Sequence, residues 1–311
     1  MSKKCKGQVI KSTGSWYKVQ PEGEASPVNA RIRGKFRQSG FQTSNPVAVG
    51  DLVLLEMIAE NEGVIVTIYE RRNQIIRRLD KGKSRLHLIA ANVDQAVLIA
   101  SLKAPKVSTG FIDRFLLTAE AFHIPAVLVF NKADLLTSAK DRDYLAEIKS
   151  IYHEKVGYPF IETAATSGMG KAALSEVLAQ KCSLFIGQSG VGKSSLLNAI
   201  SPDLQLRIGS ISEKHQKGKH TTTFAEMLNL DAATRVIDTP GIRDFKIIDF
   251  DAYEVSHFFP EMKALLPQCK FHNCLHINEP KCAVKAAVES GEISAMRYHN
   301  YRSIIENKAN Y

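Results

Sequence analysis

Residues Gly187, Gln188, Ser189, Gly190, Val191, Gly192, Lys193 and Ser194 follow the spacing G-x-x-x-x-G-K-[ST], a loop built to hold phosphate. Glycine at 187, 190 and 192 lets backbone N–H groups turn inward on phosphate oxygens, and a helix beginning at Ser194 adds its dipole. Lys193 has the reach for β- and γ-phosphates. The Ser194 hydroxyl is placed to ligate Mg²⁺, and Ser195 completes the stretch expected to touch nucleotide. Asn131-Lys132-Ala133-Asp134 reads N-K-x-D. The Asp134 carboxylate suits the N1–H and exocyclic amine of guanine; adenine offers neither donor there, so the loop selects against ATP. Thr163-Ala164, after the next apolar run, is a candidate for backbone contacts to the same base. Asp238-Thr239-Pro240-Gly241 supplies a D-x-x-G: Asp238 for the Mg²⁺ shell, the Gly241 amide for the γ-phosphate.

The order of these parts is unusual, because the base-selecting loop precedes the phosphate loop. A doubly wound sheet needs its strands adjacent rather than numbered from a fixed start, and domain termini often lie close together. Cutting before the fourth strand and joining the old ends yields the order seen here, a circular permutation. Between the phosphate loop and Asp238, residues 207–223 are rich in Gly, Ser, Lys and His and close on Thr221-Thr222-Thr223. One of these hydroxyls is expected to complete Mg²⁺ coordination when GTP is bound. Thr222 is the choice, and spacing alone does not separate it from its neighbours.

A second constellation lies near the C-terminus. Cys269, Cys274, His276 and Cys282 are spaced C-x4-C-x-H-x5-C, three thiolates and an imidazole that form a closed, structural tetrahedral zinc site. His272 is an alternative to His276 as the fourth ligand. Cys5 and Cys182 stand apart and read as ordinary thiols.

The elements that must position these groups fall into three regions. Residues 1–72 read as about five short strands punctuated by Gly, Pro, Ser and Asn, including Arg31 to Phe36, and suggest a small OB-like barrel. Arg31, Arg33, Lys35 and Arg37 alternate, so they share one face that suits an RNA backbone. Arg71-Arg72 to Arg77-Arg78 form a polar, basic bridge. Residues 73–250 alternate apolar strands (Ala96 to Ala100, Ala126 to Phe130, Leu184 to Ile186) with helices, the α/β pattern of a sheet covered on both faces. Residues 251–311 are mostly helical around the Cys/His cluster. At 311 residues two or three domains are expected, and a formal net charge of +9 favours a polyanionic partner. No secretory signal and no span long enough for a bilayer is visible, so a soluble, cytoplasmic protein is expected.

Together GQSGVGKS, DTPG, the upstream NKAD and the knuckle CKFHNCLHINEPKC resemble the ribosome small-subunit-dependent GTPase A (RsgA/YjeQ) family. RIRGKFR, ANVDQAVLIAS, GKHTTT and the tail CAVKAAVESGEISAMRYHNYRSI extend the resemblance over nearly the whole chain. It implies a monomeric factor in late maturation of the small ribosomal subunit that binds the subunit in the GTP state. The subunit stimulates hydrolysis of GTP to GDP, and barrel and zinc domain contact rRNA. It also implies a catalytic histidine in the switch segment, which maps to His220. Ile242, following Asp238 to Gly241, stands where Ras-like enzymes use Gln to orient water, and an apolar side chain cannot do so. The alternative is a permuted GTPase with another RNA or ribosomal partner.

Overall fold

A computed structural model describes residues 3–33, 46–78, 86–206, 225–239 and 250–309. The N-terminal strands are β1 (Lys4–Ser12), β2 (Tyr17–Pro21), β3 (Val28–Ile32), β4 (Leu52–Ala59) and β5 (Glu62–Ile68). β1 pairs antiparallel with both β2 and β4, β2 with β3, β3 parallel with β5, and β5 antiparallel with β4. The ring 1-2-3-5-4-1 is therefore closed, as an OB-like barrel requires. Alternation turns Val9, Tyr17, Val19, Ala30, Val53, Leu55 and Ile65 into its core.

The third strand differs from the sequence expectation. It runs Val28–Ile32, because buried Val28 and Ala30 set the inward face and Asn29 and Arg31 point out. The row of alternating basic residues begins with Arg31, near the end of this strand. Arg33 lies just past it, exposed like Arg31, while Lys35 and Arg37 lie outside the described residues.

The basic bridge is also more ordered than expected. β6 (Gln74–Arg78) and β7 (Leu86–Ala91) form an antiparallel pair, because Ile75 is buried opposite Ala90. Arg71 anchors this linker to the barrel: its guanidinium donates to both oxygens of fully buried Asp51, at 2.7 and 2.8 Å, and to the Pro46 carbonyl at 2.6 Å.

The central sheet contains β8 (Gln95–Ala100), β9 (Ala126–Phe130), β10 (Phe160–Glu162), β11 (Cys182–Ile186), β12 (Glu226–Asn229) and β13 (Arg235–Asp238). Their spatial order is β10-β9-β8-β11-β13-β12, parallel except for β12. The strand that enters the phosphate loop, β11, thus lies between β13, which ends in Asp238, and β8. β9, which ends in Asn131, comes one place further. Every residue of β8, β9 and β11 is buried, as expected where helices cover both faces. Those helices are α1 (Thr109–Ala121), α2 (Ala139–Lys149), α3 (Lys171–Leu178) and α4 (Lys193–Ile200). Ser108 caps α1, and a Ser138/Asp141 capping box starts α2.

The C-terminal region is built from short turns, α5 (Pro260–Lys263), α6 (Ala283–Glu289) and α7 (Ala295–Ala309). Its core of Val255, Phe259, Met262, Val284, Ile293, Tyr301 and Ile304 also takes in Leu117 of α1, so this region is seated on the central domain.

Candidate active site

The phosphate loop is shaped by what surrounds its glycines. A Cβ at Gly187 would lie 2.5 Å from the Ile99 carbonyl oxygen, so the turn out of β11 passes too close to β8 for any side chain. Gly192 has φ +97°, and α4 starts at the next residue, which aims the helix N-terminus at the loop. Lys193 is buried, and its Nζ donates to the Gly187 carbonyl at 2.7 Å. Burial pulls the Lys193 ammonium below the usual lysine range, opposed by the Asp238 carboxylate.

Asp238 ends β13 with 8% exposure, and its Oδ1 has no hydrogen-bond partner among the described residues. Burial pushes its carboxyl up to about 6, against the pull of Lys193 and with the repulsion of Glu226. Thr239 donates its hydroxyl to the Phe185 carbonyl at 2.8 Å and so ties the D-x-x-G to β11. An unpartnered buried carboxylate oxygen that feels the charge of Lys193, the residue before Ser194 on the first turn of α4, fits a divalent cation. Asp238 and Ser194 are the described residues that would hold it. Thr221, Thr222, Thr223, His220 and Gly241 lie outside the described residues.

The base-selecting loop is fastened directly to the phosphate loop. Buried Asn131 donates from Nδ2 to the Val191 carbonyl at 2.8 Å, while its Oδ1 accepts from the Thr163 hydroxyl at 3.2 Å. Lys132, with φ +66°, reaches across to the Gly190 carbonyl at 2.7 Å and to the Ala104 carbonyl. Asp134 is exposed at the mouth of this assembly, where its Oδ2 accepts from the Thr166 hydroxyl at 3.1 Å. Thr163 and Ala164 have their own amides engaged, with Phe130 O at 2.9 Å and Met169 O at 3.1 Å. Their visible role is to hold Asn131 and Ala133, whose amide donates to the Thr163 carbonyl at 3.0 Å.

The sequence reading missed Lys103. It lies on the loop after β8 and donates to Asp141 Oδ2 at 2.5 Å and to the Leu135 carbonyl at 3.3 Å, so it braces the turn that carries Asp134. Its only signal was position: a loop at the carboxyl end of a strand beside the phosphate-loop strand.

On the barrel, the Arg31 guanidinium lies 3.8 Å from the Trp16 ring centroid, and Arg33 pairs with Glu56 at 2.9 Å. A cleft of about 540 Å³ between the linker and the far end of α1, lined by Arg71, Arg72, Phe122 and His123, holds none of the phosphate-loop, base-loop or Cys/His residues.

The cysteine cluster closes on itself. The ligand atoms of Cys269, Cys274, His276 and Cys282 all lie within 4.8 Å of one another. His276 Nδ1 is 3.3 Å from Cys282 Sγ and 3.6 Å from Cys269 Sγ, and those two sulfurs are 4.0 Å apart. A tetrahedron with Zn–S of about 2.3 Å has edges of about 3.8 Å, close to these separations, so the donor set suits one zinc ion. His272 is exposed and lies outside the cluster, whose fourth group is His276. The surrounding loop is braced by Glu279, which accepts from the Leu275, Ile277 and Asn278 amides at 2.8, 2.9 and 3.1 Å. Tyr298 and Tyr301 donate to the His276 and Leu275 carbonyls at 2.6 and 2.9 Å.

Known proteins resemble this chain over nearly its whole length. A model described as RsgA GTPase matches residues 68–248, and one described as RsgA N-terminal domain matches residues 6–65. The chain belongs to the RsgA GTPase family. It is 46% identical over 303 residues to the small ribosomal subunit biogenesis GTPase RsgA of Flavobacterium johnsoniae, covering 96% of this chain and 92% of that one. The protein of the same name from Christiangramia forsetii is 46% identical over 305 residues, covering 96% and 95%. The crystal structure of YjeQ from Thermotoga maritima superposes with a TM-score of 0.78 at 36% identity, covering 98% of each chain. That of YloQ, a circularly permuted GTPase, gives 0.73 at 33% identity, covering 99% of this chain and 96% of the other. The family and its structures account for the rotated motif order. This is a circularly permuted, GTP-hydrolysing fold between an OB-like barrel and a cysteine-rich helical region.

Proposed function

We propose that this protein hydrolyses GTP to GDP and phosphate in the biogenesis of the small ribosomal subunit, bound to that subunit's rRNA and stimulated by it. The observation that carries the GTPase reading is the pair of bonds from Asn131 and Lys132 to the carbonyls of Val191 and Gly190. Two loops in swapped sequence order converge there on one nucleotide. The name shared by the relatives supports the biogenesis role and the partner.

In this reading Asp134 reads guanine, the loop from Gly187 to Ser195 cradles the phosphates, and Lys193 exchanges its bond with the Gly187 carbonyl for β- and γ-phosphate oxygens. Ser194, Asp238 and Thr222 hold Mg²⁺, which when bound neutralises charge on the phosphates. The Gly241 amide contacts the γ-phosphate, and His220 orients the attacking water. Cys269, Cys274, His276 and Cys282 hold one structural zinc ion. Arg31, stacked on Trp16, and Arg33, with Lys35 and Arg37, form the RNA face. The protein acts as a cytoplasmic monomer, with residues 1–72, 73–250 and 251–311 as its barrel, GTPase and zinc domains.

The test is GTP hydrolysis measured with and without purified small subunits. Strong stimulation is expected; none, from protein that binds GDP in preference to ADP, refutes the partner. His220→Ala is expected to abolish stimulation while leaving GTP binding intact, and unchanged stimulated turnover refutes its role.

A further inference from the structure

Among the described residues, a row of charges runs from the barrel to the nucleotide site. β1 pairs antiparallel with β12 at the register Lys11↔Glu226, and β12 pairs antiparallel with β13 at Glu226↔Asp238. Residues directly opposite in antiparallel pairs share a face. Lys11, Glu226 and Asp238 therefore stand side by side across three strands, the first on the barrel and the last at the metal position. Lys11 Nζ donates to Glu226 Oε2 at 2.8 Å, and the two side chains are about one-third exposed, at 32% and 36%. That is enough burial to weaken screening by water and salt. A second bond across this seam, Arg235 Nη1 to Gln8 Oε1 at 2.5 Å, keeps the strands in register independently of the ion pair.

We infer that Lys11 is a positioning residue for the nucleotide site: by pairing with Glu226 it keeps that carboxylate from competing with Asp238 for the cation and from repelling the phosphates. Without Lys11 the row carries two adjacent negative charges, which draw a divalent cation more strongly but oppose a metal-free nucleotide. Anything that moves the barrel edge or draws Lys11 away unmasks Glu226, so the barrel informs the site without touching the nucleotide. This rests on the nucleotide reading of the site proposed above.

The experiment is a set of full-length variants, Lys11→Met, Glu226→Gln, their double and Lys11→Arg, titrated with fluorescent GDP. Each is measured in EDTA and then against Mg²⁺. Lys11→Met is expected to weaken metal-free GDP binding roughly three- to tenfold and to lower the Mg²⁺ concentration of half-maximal effect. Glu226→Gln is expected to shift both quantities in the opposite direction, the double to return within about twofold of wild type, and Lys11→Arg to match wild type. A merely structural pair would shift both single variants the same way. That result, or singles within about twofold of wild type, overturns the inference. If Lys11→Met disturbs the barrel, as read by the fluorescence of the chain's one tryptophan, Trp16, the sign of Glu226→Gln alone decides. A wild-type protein that binds ADP as well as GDP would instead overturn the nucleotide reading beneath it.

Discussion

Replacing Arg297 by Met should cost the protein about 3–5 kcal/mol, the range for removing one partner of a buried ion pair. Arg297 is 1% exposed on α7 and joins the C-terminal region to the GTPase domain. Its Nη1 donates to Asp113 Oδ1 at 2.5 Å, while Nε and Nη2 donate to the two oxygens of Glu261 at 2.6 and 2.9 Å. Asp113 has no exposure and also accepts from Tyr152 at 2.9 Å and Asn300 at 2.6 Å. Two carboxylates hold Arg297 firmly charged, whereas burial pushes the Asp113 carboxyl upward with Arg297 as its chief opponent. Methionine fills the volume between Tyr152 and Phe259 but leaves Asp113 without its cation; Glu261, at the rim, turns to water.

The sign of the pH dependence follows. In the variant Asp113 has a folded pKa above its unfolded value of about 3.9. Its destabilising effect is absent below the unfolded pKa and grows as pH rises toward the folded one. The deficit should therefore be largest near pH 8 and shrink toward pH 5, and Asp113→Asn on the Met background should recover much of it. Urea denaturation followed by circular dichroism measures both. A deficit under 1 kcal/mol at pH 7.5, or one that grows on acidification, would refute the view that this junction is held by charge.

Asn131→Ala strands the buried Val191 carbonyl and Thr163 hydroxyl, a loss of about 1–3 kcal/mol. It should weaken GDP binding roughly tenfold to a hundredfold, and a change under threefold in a fluorescence titration would exclude the latch. Lys103→Met frees the turn carrying Asp134, so the preference for GDP over IDP, which lacks the exocyclic amine, should fall several-fold while Lys103→Arg retains it. The hydrogen bond from Lys103 is also the main reason the Asp141 carboxyl is held down to about 2. With the folded pKa depressed, that contribution is present above the ordinary carboxylate range and is lost as pH falls toward 2. Atomic spectrometry on protein purified without chelator should find one zinc per chain, and Cys282→Ser should lose it and lower the melting temperature while leaving GDP affinity within about threefold. Metal-free wild-type protein that melts at the same temperature would refute a structural ion.

What the sequence disclosed depended on how far apart the cooperating groups lie along it. Phosphate loop, guanine loop and cysteine cluster are contiguous runs, so type and spacing marked them in the sequence, and the structure brings the first two together and gathers the third. The barrel was legible from alternation, but the basic row from Arg31 displaced its third strand, because charge alternation and core alternation have the same period. The β6–β7 pair was hidden because Ile75 and Ile76 are flanked by arginine pairs on both sides. Lys11–Glu226 and Asp113–Arg297 join residues 215 and 184 positions apart, a separation at which single residues carry no local pattern.

Those distant contacts show what the rotated chain order achieves. The barrel is joined covalently to the linker before β8 but pairs with β12, whose edge would otherwise expose an unsatisfied row of backbone groups. The C-terminal region follows β13 covalently but packs on α1. α1 begins just after the Lys103–Ala104 loop, which is bonded to the Leu135 carbonyl and to Lys132 of the base-selecting loop. Each appended domain therefore grips the GTPase domain at two places, one by chain and one by packing. A domain attached only by its linker would swing freely; attached twice, each is held against the GTPase domain.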